Sequence, residues 1–357
     1  MPTFDEMAAE EGLLARTLAF GPSKSRKTWW AATAAEAGFN VLLLNGDDGV
    51  HIIKQVSKEA RSRIQVVNAR DKFGFPYFCP LIGTLLKGES VIWDDTQDKI
   101  VHSKRSMAPG NRHYILDVKK LTANDVLVLD SWTALKTSVE LQFAKENKLD
   151  LSDASKLEWD GYGYASRFLD WVLNQLKGLP CHVVVIGHSE LHEKKKSVEI
   201  NGKVQQITEW TRMQPISSSR AHANHLAKHF SDVLFFTIYG DGAFYIDTRA
   251  SGDRDGGSRV IAPKKYKWED LSFGKYINLM GVTPGNKEIT STSGVVRIMG
   301  DEVQGILDSL AMPAGRPNAS LPAQASAKIS LSAKDGTTAT LATPVKNAGL
   351  AGLLPRK

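Results

Sequence analysis

The stretch that most constrains this chain is Gly21-Pro22-Ser23-Lys24-Ser25-Arg26-Lys27-Thr28, because of what flanks it. The apolar run from Leu13 to Phe20 reads as a buried strand, and Trp29 to Ala37 reads as a helix. Strand, tight loop and helix, with Lys-Thr at the join, is the setting of a phosphate-binding loop. In such a loop the backbone amides and the helix N-terminus face a polyphosphate, the lysine neutralises it, and the threonine hydroxyl ligates Mg²⁺. Gly21, Pro22, Ser23, Lys24, Ser25, Arg26, Lys27 and Thr28 are therefore the candidate nucleotide contacts. The consensus G-x-x-x-x-G-K-[ST] has glycine where Arg26 stands, and many such loops also have glycine where Lys24 stands. A side chain there restricts the close backbone approach that glycine permits.

The rest of the sequence sets the frame. At 357 residues, 42% hydrophobic and 24% charged, the chain is long enough to bury a full core. No apolar run approaches the ~18–20 residues that span a bilayer, and the acidic start Met1-Pro2-Thr3-Phe4-Asp5-Glu6 has no signal-peptide pattern. Two cysteines, Cys79 and Cys181, form no Cys-x-x-Cys pair and read as buried hydrophobes in a reducing, cytoplasmic setting. The formal charge of +6 is uneven, since residues 311–357 carry six basic side chains and one acidic one. Residues 1–310 are thus nearly neutral, and composition alone does not mark a nucleic-acid binder. The 311–357 tail has no aromatic residues and is expected to be disordered.

Along the chain, Asn40 to Asn45 reads as a second strand ending in Gly46-Asp47-Asp48-Gly49, and Ile64 to Val67 as a third. Strands alternating with helices imply right-handed crossovers and a mostly parallel α/β sheet. Residues 73–121 break the pattern and read as an insertion on the sheet edge. Regularity returns at Asp125-Val126-Leu127-Val128-Leu129-Asp130-Ser131, a buried parallel strand whose carboxylate emerges at the ligand end. Downstream of a phosphate loop this is the form of a Walker B strand, with Asp130 at the Mg²⁺. Two helices follow, Trp132 to Lys148 and about Tyr162 to Leu176; the second carries Tyr164, Phe168, Val172 and Leu176 at core spacing. The next strand, Cys181 to Gly187, ends in His188, placed to sense the γ-phosphate and pass its state onward.

A polar, basic segment comes next: Lys194, Lys195 and Lys196, a hairpin turn at Asn201-Gly202, then Arg212 and Arg220. His222, His225 and His229 share a helix face, but without a paired Cys or Asp they read as solvated rather than metal-binding. Asp232 to Ile238 and Ala243 to Thr248 read as an antiparallel hairpin closing the sheet, and a Gly/Asp-rich segment with Arg249, Arg254, Arg259, Lys264 and Lys265 follows. AAA+ proteins continue into a helical domain at this point, whereas RecA-type cores continue into strands.

Together these elements resemble the RecA-like P-loop ATPases of bacteriophage recombination systems. The loop Gly21 to Thr28 resembles that of T4-type strand-exchange recombinases, which also lack glycine just before the lysine. Leu121 to Leu135 and Leu179 to Glu190 are similar to segments of the phage ATPases that assist single-strand annealing. The resemblance implies a RecA-like core over 13–280, between a 1–12 extension and a 281–310 C-terminal extension. It implies ATP and Mg²⁺ as cofactors, with Lys27 and Thr28 on the phosphates and metal, and Asp130 as the Walker B carboxylate. His188 stands at the position of the sensor glutamine. Asp47 or Asp48 stands where the family keeps the glutamate that polarises the attacking water. Loops 150–162 and 191–220 correspond to DNA-binding loops, with Lys194, Lys195, Lys196, Arg212 and Arg220 as candidate phosphate contacts. Arg249, Arg254, Arg259, Lys264 and Lys265 are candidate inter-subunit cations. The implied partners are single-stranded DNA, further copies of the chain in a ring or filament, and a single-strand-binding or annealing protein at the basic tail. Two other functions fit the same loop: a non-catalytic, nucleotide-gated scaffold, and a DNA motor.

Overall fold

The computed structural model describes residues 14–298, except 73, 102–110, 150–158, 201–202, 241, 252–253, 255, 260, 283–291 and 293. The expected 1–12 extension, most of the 150–162 loop, the Asn201-Gly202 turn and the basic tail lie outside the described residues.

Six strands form a parallel sheet: β1 (Arg16–Gly21), β2 (Asn40–Asn45), β3 (Ile64–Asn68), β7 (Asp125–Asp130), the first part of β8 (His182–Ile200), and β10 (Asp232–Ile238). Every residue of β2 and β7 is buried, which is why both read as near-continuous apolar runs. β11 (Phe244–Asp247) and β13 (Lys265–Lys267) extend the sheet antiparallel beyond β10, giving the order β13-β11-β10-β1-β8-β7-β2-β3. The strands after β10 thus follow the RecA-type pattern, and the fold is of the RecA-like P-loop class.

Strand alternation sends side chains to both faces. Val41, Leu43, Val126, Val128, Val184 and Ile186 join a core with α1 (Lys27–Ala32) and a later helix, Phe273–Leu279. Leu44, Leu127 and Leu129 point the other way, against Ile82 and Leu85 of helix Phe78–Lys87 and Val172 and Leu176 of helix Trp159–Lys177. The stripe expected in that second helix is core: Phe168, Val172 and Leu176 are buried, and Tyr164 packs on Phe143. Both cysteines are buried and free.

The helix expected through Ala37 ends at Ala32 and continues as turns. Thr33 is the cause: its hydroxyl donates to the Trp30 carbonyl at 2.6 Å and accepts the Phe273 amide at 3.1 Å, and the following amides bond three residues back. The two tryptophans of the helix then anchor it. Trp30 donates its indole N–H to the Leu271 carbonyl at 2.7 Å and packs against Phe236, Phe273 and Tyr276. Below it the Tyr276 hydroxyl joins Thr17 at 2.9 Å and buried Asp232 at 2.8 Å.

Residues 73–121 contribute the Phe78–Lys87 helix and the strands β4 (Val91–Asp94), β5 (Lys99–Ile100) and β6 (His113–Leu116). These three strands form a separate antiparallel sheet with β14 (Val295–Ile298), a segment from far down the chain. Strand β8 does not stop at Gly187. It runs on to Ile200 and pairs with β9 (Lys203–Pro215) as a long ribbon, bulged between Lys194 and Lys195.

Candidate nucleotide site

Strand register assembles the site. Gly21 lies opposite His188, Asp130 opposite Ile186, and Asn45 opposite Asp130, so β1, β8, β7 and β2 end level with one another. The chain leaves β1 and re-enters the sheet at β2, beyond β8 and β7, which opens a crevice at the carboxyl ends of these strands. Gly21 is fixed by close approach: at φ 153° a Cβ there would sit 2.1 Å from the Phe236 carbonyl oxygen.

The loop is held by its own carbonyls. Lys27 Nζ donates to Gly21 O at 3.0 Å and Pro22 O at 2.7 Å, and lies 3.2 Å from Ser25 Oγ, which itself donates to Pro22 O at 2.8 Å. Lys27 is only 4% exposed. Burial pulls its pKa down to about 8 against the opposing pull of Asp130 and Asp47. Lys24 and Arg26 both take left-handed backbone, at φ 62° and 67°, which costs a side-chain-bearing residue about 1–2 kcal/mol. Lys24 is exposed. The Arg26 side chain lies over the rings of Phe244 and Trp268. The arginine that replaces the glycine thus has its guanidinium engaged by these rings.

Thr28 Oγ1 donates to Asp130 Oδ2 at 2.7 Å. Burial raises the Asp130 pKa to about 6, partly offset by the Thr28 hydrogen bond. A hydroxyl and a carboxylate form a hard oxygen pair suited to Mg²⁺. Burial outweighs the charge of nearby Lys27 at this carboxylate, a cost that a divalent ion would relieve, so Thr28 and Asp130 fit as its protein ligands. A carboxylate whose folded pKa is raised destabilises the fold as pH climbs from the unfolded value of 3.8 through about 6. Asp130→Asn is accordingly expected to stabilise the nucleotide-free chain by about 2–3 kcal/mol at pH 7.5. The gain should shrink towards pH 4; thermal melts of both chains across that range check it.

The structure separates the two candidate water-orienting carboxylates. Asp47 Oδ2 accepts from Ser131 Oγ at 2.5 Å and from His188 Nε2 at 3.2 Å. The His188 hydrogen bond, with those of Ser131 and the charge of Lys27, lowers its pKa despite burial. Asp48 instead faces solvent, 91% exposed, in an ion pair with Arg70. His188 is itself held through its backbone amide, which donates to Thr133 Oγ1 at 3.1 Å. Sequence reading missed Ser131 and Thr133; their signal was position, at the start of the helix Trp132–Glu146 that Ser131 caps.

The remaining candidates sit elsewhere. Lys194, Lys195 and Lys196 lie on the ribbon at its bulge, with Lys195 and Lys196 exposed and Arg212 opposite His192. Arg220 is exposed at the first turn of helix Arg220–Leu226. Arg249 and Arg254 both bind Asp247, at 2.8 and 2.7 Å. Lys265 lies over Tyr239 and Tyr245, Lys264 over Tyr266, and Arg259 is exposed. The expected solvated histidine face is corrected at His222, which is buried, stacked on Trp132 and bonded to Ser217 at 2.6 Å and Asp170 at 3.2 Å. Among the described residues no group of three or more His, Cys, Asp or Glu could hold a metal ion, and no helix is long and apolar enough to cross a membrane.

A phosphate loop, a buried Walker B carboxylate and a second carboxylate at the neighbouring strand end define a P-loop nucleotide-binding site. The chain matches the AAA domain family over residues 14–266 and belongs to it. Among solved structures it is similar to one titled "Crystal structure of the RadB recombinase", at 17% identity over 70% of this chain and 89% of that one. The TM-score of that fit is 0.33, too loose to carry a functional argument. No curated protein matches it.

Proposed function

We propose that this protein binds and hydrolyses ATP with Mg²⁺ and binds single-stranded DNA in phage recombination or repair. In this reading it works in the host cytoplasm as a ring or filament of identical chains. Lys27 and the loop amides hold the phosphates, and Thr28 and Asp130 hold the Mg²⁺, which supplies charge neutralisation at the transferred phosphoryl group. Asp47, kept ionised by His188 and Ser131, orients the attacking water through Oδ1. Little covalent chemistry is needed from the protein, so positioning and charge carry the reaction. A cation from a neighbouring copy would complete the site, and Arg259, exposed and outside the Asp247 pairs, is the leading candidate.

One observation supports the DNA half of this reading more than any other. His188, which touches Asp47, is the last residue of β8 paired to β1 and is followed at once by the ribbon. A change at the γ-phosphate end of the crevice therefore acts on the base of an exposed ribbon bearing Lys195 and Lys196. The test is steady-state ATP hydrolysis with and without single-stranded DNA at rising salt. Stimulation that fades with salt, as released counterions require, is expected. An identical rate with and without DNA at every salt concentration contradicts it.

A further inference from the structure

Arg26 is the loop residue that the phosphate-binding pattern explains least. It holds φ 67° and ψ 19° as the N-cap of α1 without a side-chain cap bond. Its guanidinium carbon lies 4.3 Å from the Phe244 ring centroid and 5.0 Å from that of Trp268. Phe244 opens β11 and Trp268 directly follows β13, so both rings belong to the antiparallel end of the sheet. Trp268 also meets Trp29 edge-on at 4.3 Å. Trp268 thus touches the chain on either side of Lys27 and Thr28, and Phe244 adds a second ring at Arg26.

We propose that Arg26 is a positioning residue: its guanidinium, packed on Phe244 and Trp268, fixes the left-handed turn that glycine supplies in the consensus loop. The antiparallel strands thereby set the aim of Lys27 and Thr28. The effect on ATP rests on the nucleotide-binding reading above, whereas the clamp itself does not. The cation is engaged by the two rings, so it is not the group that meets the phosphates. A glycine at this position makes the clamp unnecessary, because glycine takes positive φ without steric cost.

The test uses the full chain and MgATP affinity. Arg26→Ala, which keeps a Cβ but loses the ring contacts, is expected to weaken binding about tenfold. Arg26→Gly should recover most of that loss. Phe244→Leu should weaken binding about as much as Arg26→Ala, but should add nothing in the Arg26→Gly chain. Arg26→Gly as weak as Arg26→Ala, or Phe244→Leu equally harmful in both backgrounds, would overturn the clamp. Amide hydrogen exchange at residues 23–28 in the nucleotide-free chain reads it independently of ATP. Phe244→Leu should speed that exchange about tenfold when Arg26 is present, and unchanged exchange refutes the clamp even if no nucleotide binds. A wild-type chain that ignores MgATP yet shows clamp-dependent exchange removes the nucleotide reading and leaves the clamp standing.

Discussion

Replacing Lys27 with alanine is expected to lower MgATP turnover by about 10²–10³-fold, the scale seen when one preorganised charge-stabilising donor is lost. Lys27 Nζ is buried, and its partners are the loop carbonyls of Gly21 and Pro22 and the Ser25 hydroxyl. Among the described residues no carboxylate neutralises it at hydrogen-bond distance, which leaves its charge available to an incoming phosphate. The loss should be catalytic and not a failure to fold. A lysine whose pKa burial lowers to about 8 destabilises the fold while charged, and this cost is present at neutral pH and fades as pH rises towards 10.5. The nucleotide-free Lys27→Ala chain should therefore melt no lower than wild type at pH 7. Steady-state hydrolysis beside a thermal melt checks both halves, and unchanged turnover in a folded variant would sink the assignment.

The second large effect separates adjacent carboxylates. Asp47→Asn should lower turnover by about 10²-fold or more while MgATP affinity stays within a few-fold, since a water-orienting group acts in the transition state. Asparagine still accepts from Ser131 but carries no charge to orient water. Asp48→Asn should leave turnover within about twofold, because an exposed pair with Arg70 contributes at most about 1 kcal/mol. Because its partners depress the Asp47 pKa, Asp47 stays ionised through the neutral range. An acid limb in the rate near pH 6 would then not belong to Asp47. Kinetics on the two variants decide the matter; equal losses in both would contradict the geometry.

Much of this was legible in the sequence, for physical reasons. Parallel strands buried on both faces leave unbroken apolar runs, so β1, β2, β7 and the start of β8 stand out, the last three each with a polar residue at the ligand end. The strand-end positions of Asp130 and His188 followed directly from that. Choosing between Asp47 and Asp48 was beyond a linear reading, because the choice depends on which side of one turn faces Ser131 and which faces Arg70. The early end of α1 depends on Phe273 meeting Thr33, and the second sheet draws β14 from beyond the core. The hairpin was legible, but not that its first strand continues β8 unbroken to Ile200, because its residues are polar and pairing rather than burial makes the strand there. Arg26 read as an obstruction because the rings that engage its guanidinium lie far downstream.

The central claim is that a loop with arginine in place of its glycine is a working Mg-ATP site. Calorimetric titration of MgATP into the full-length chain tests it most directly. Saturable binding of one nucleotide per chain, weakened when Mg²⁺ is withheld, is the predicted result. No binding at millimolar MgATP would contradict it and leave a nucleotide-independent scaffold as the better account of the same fold.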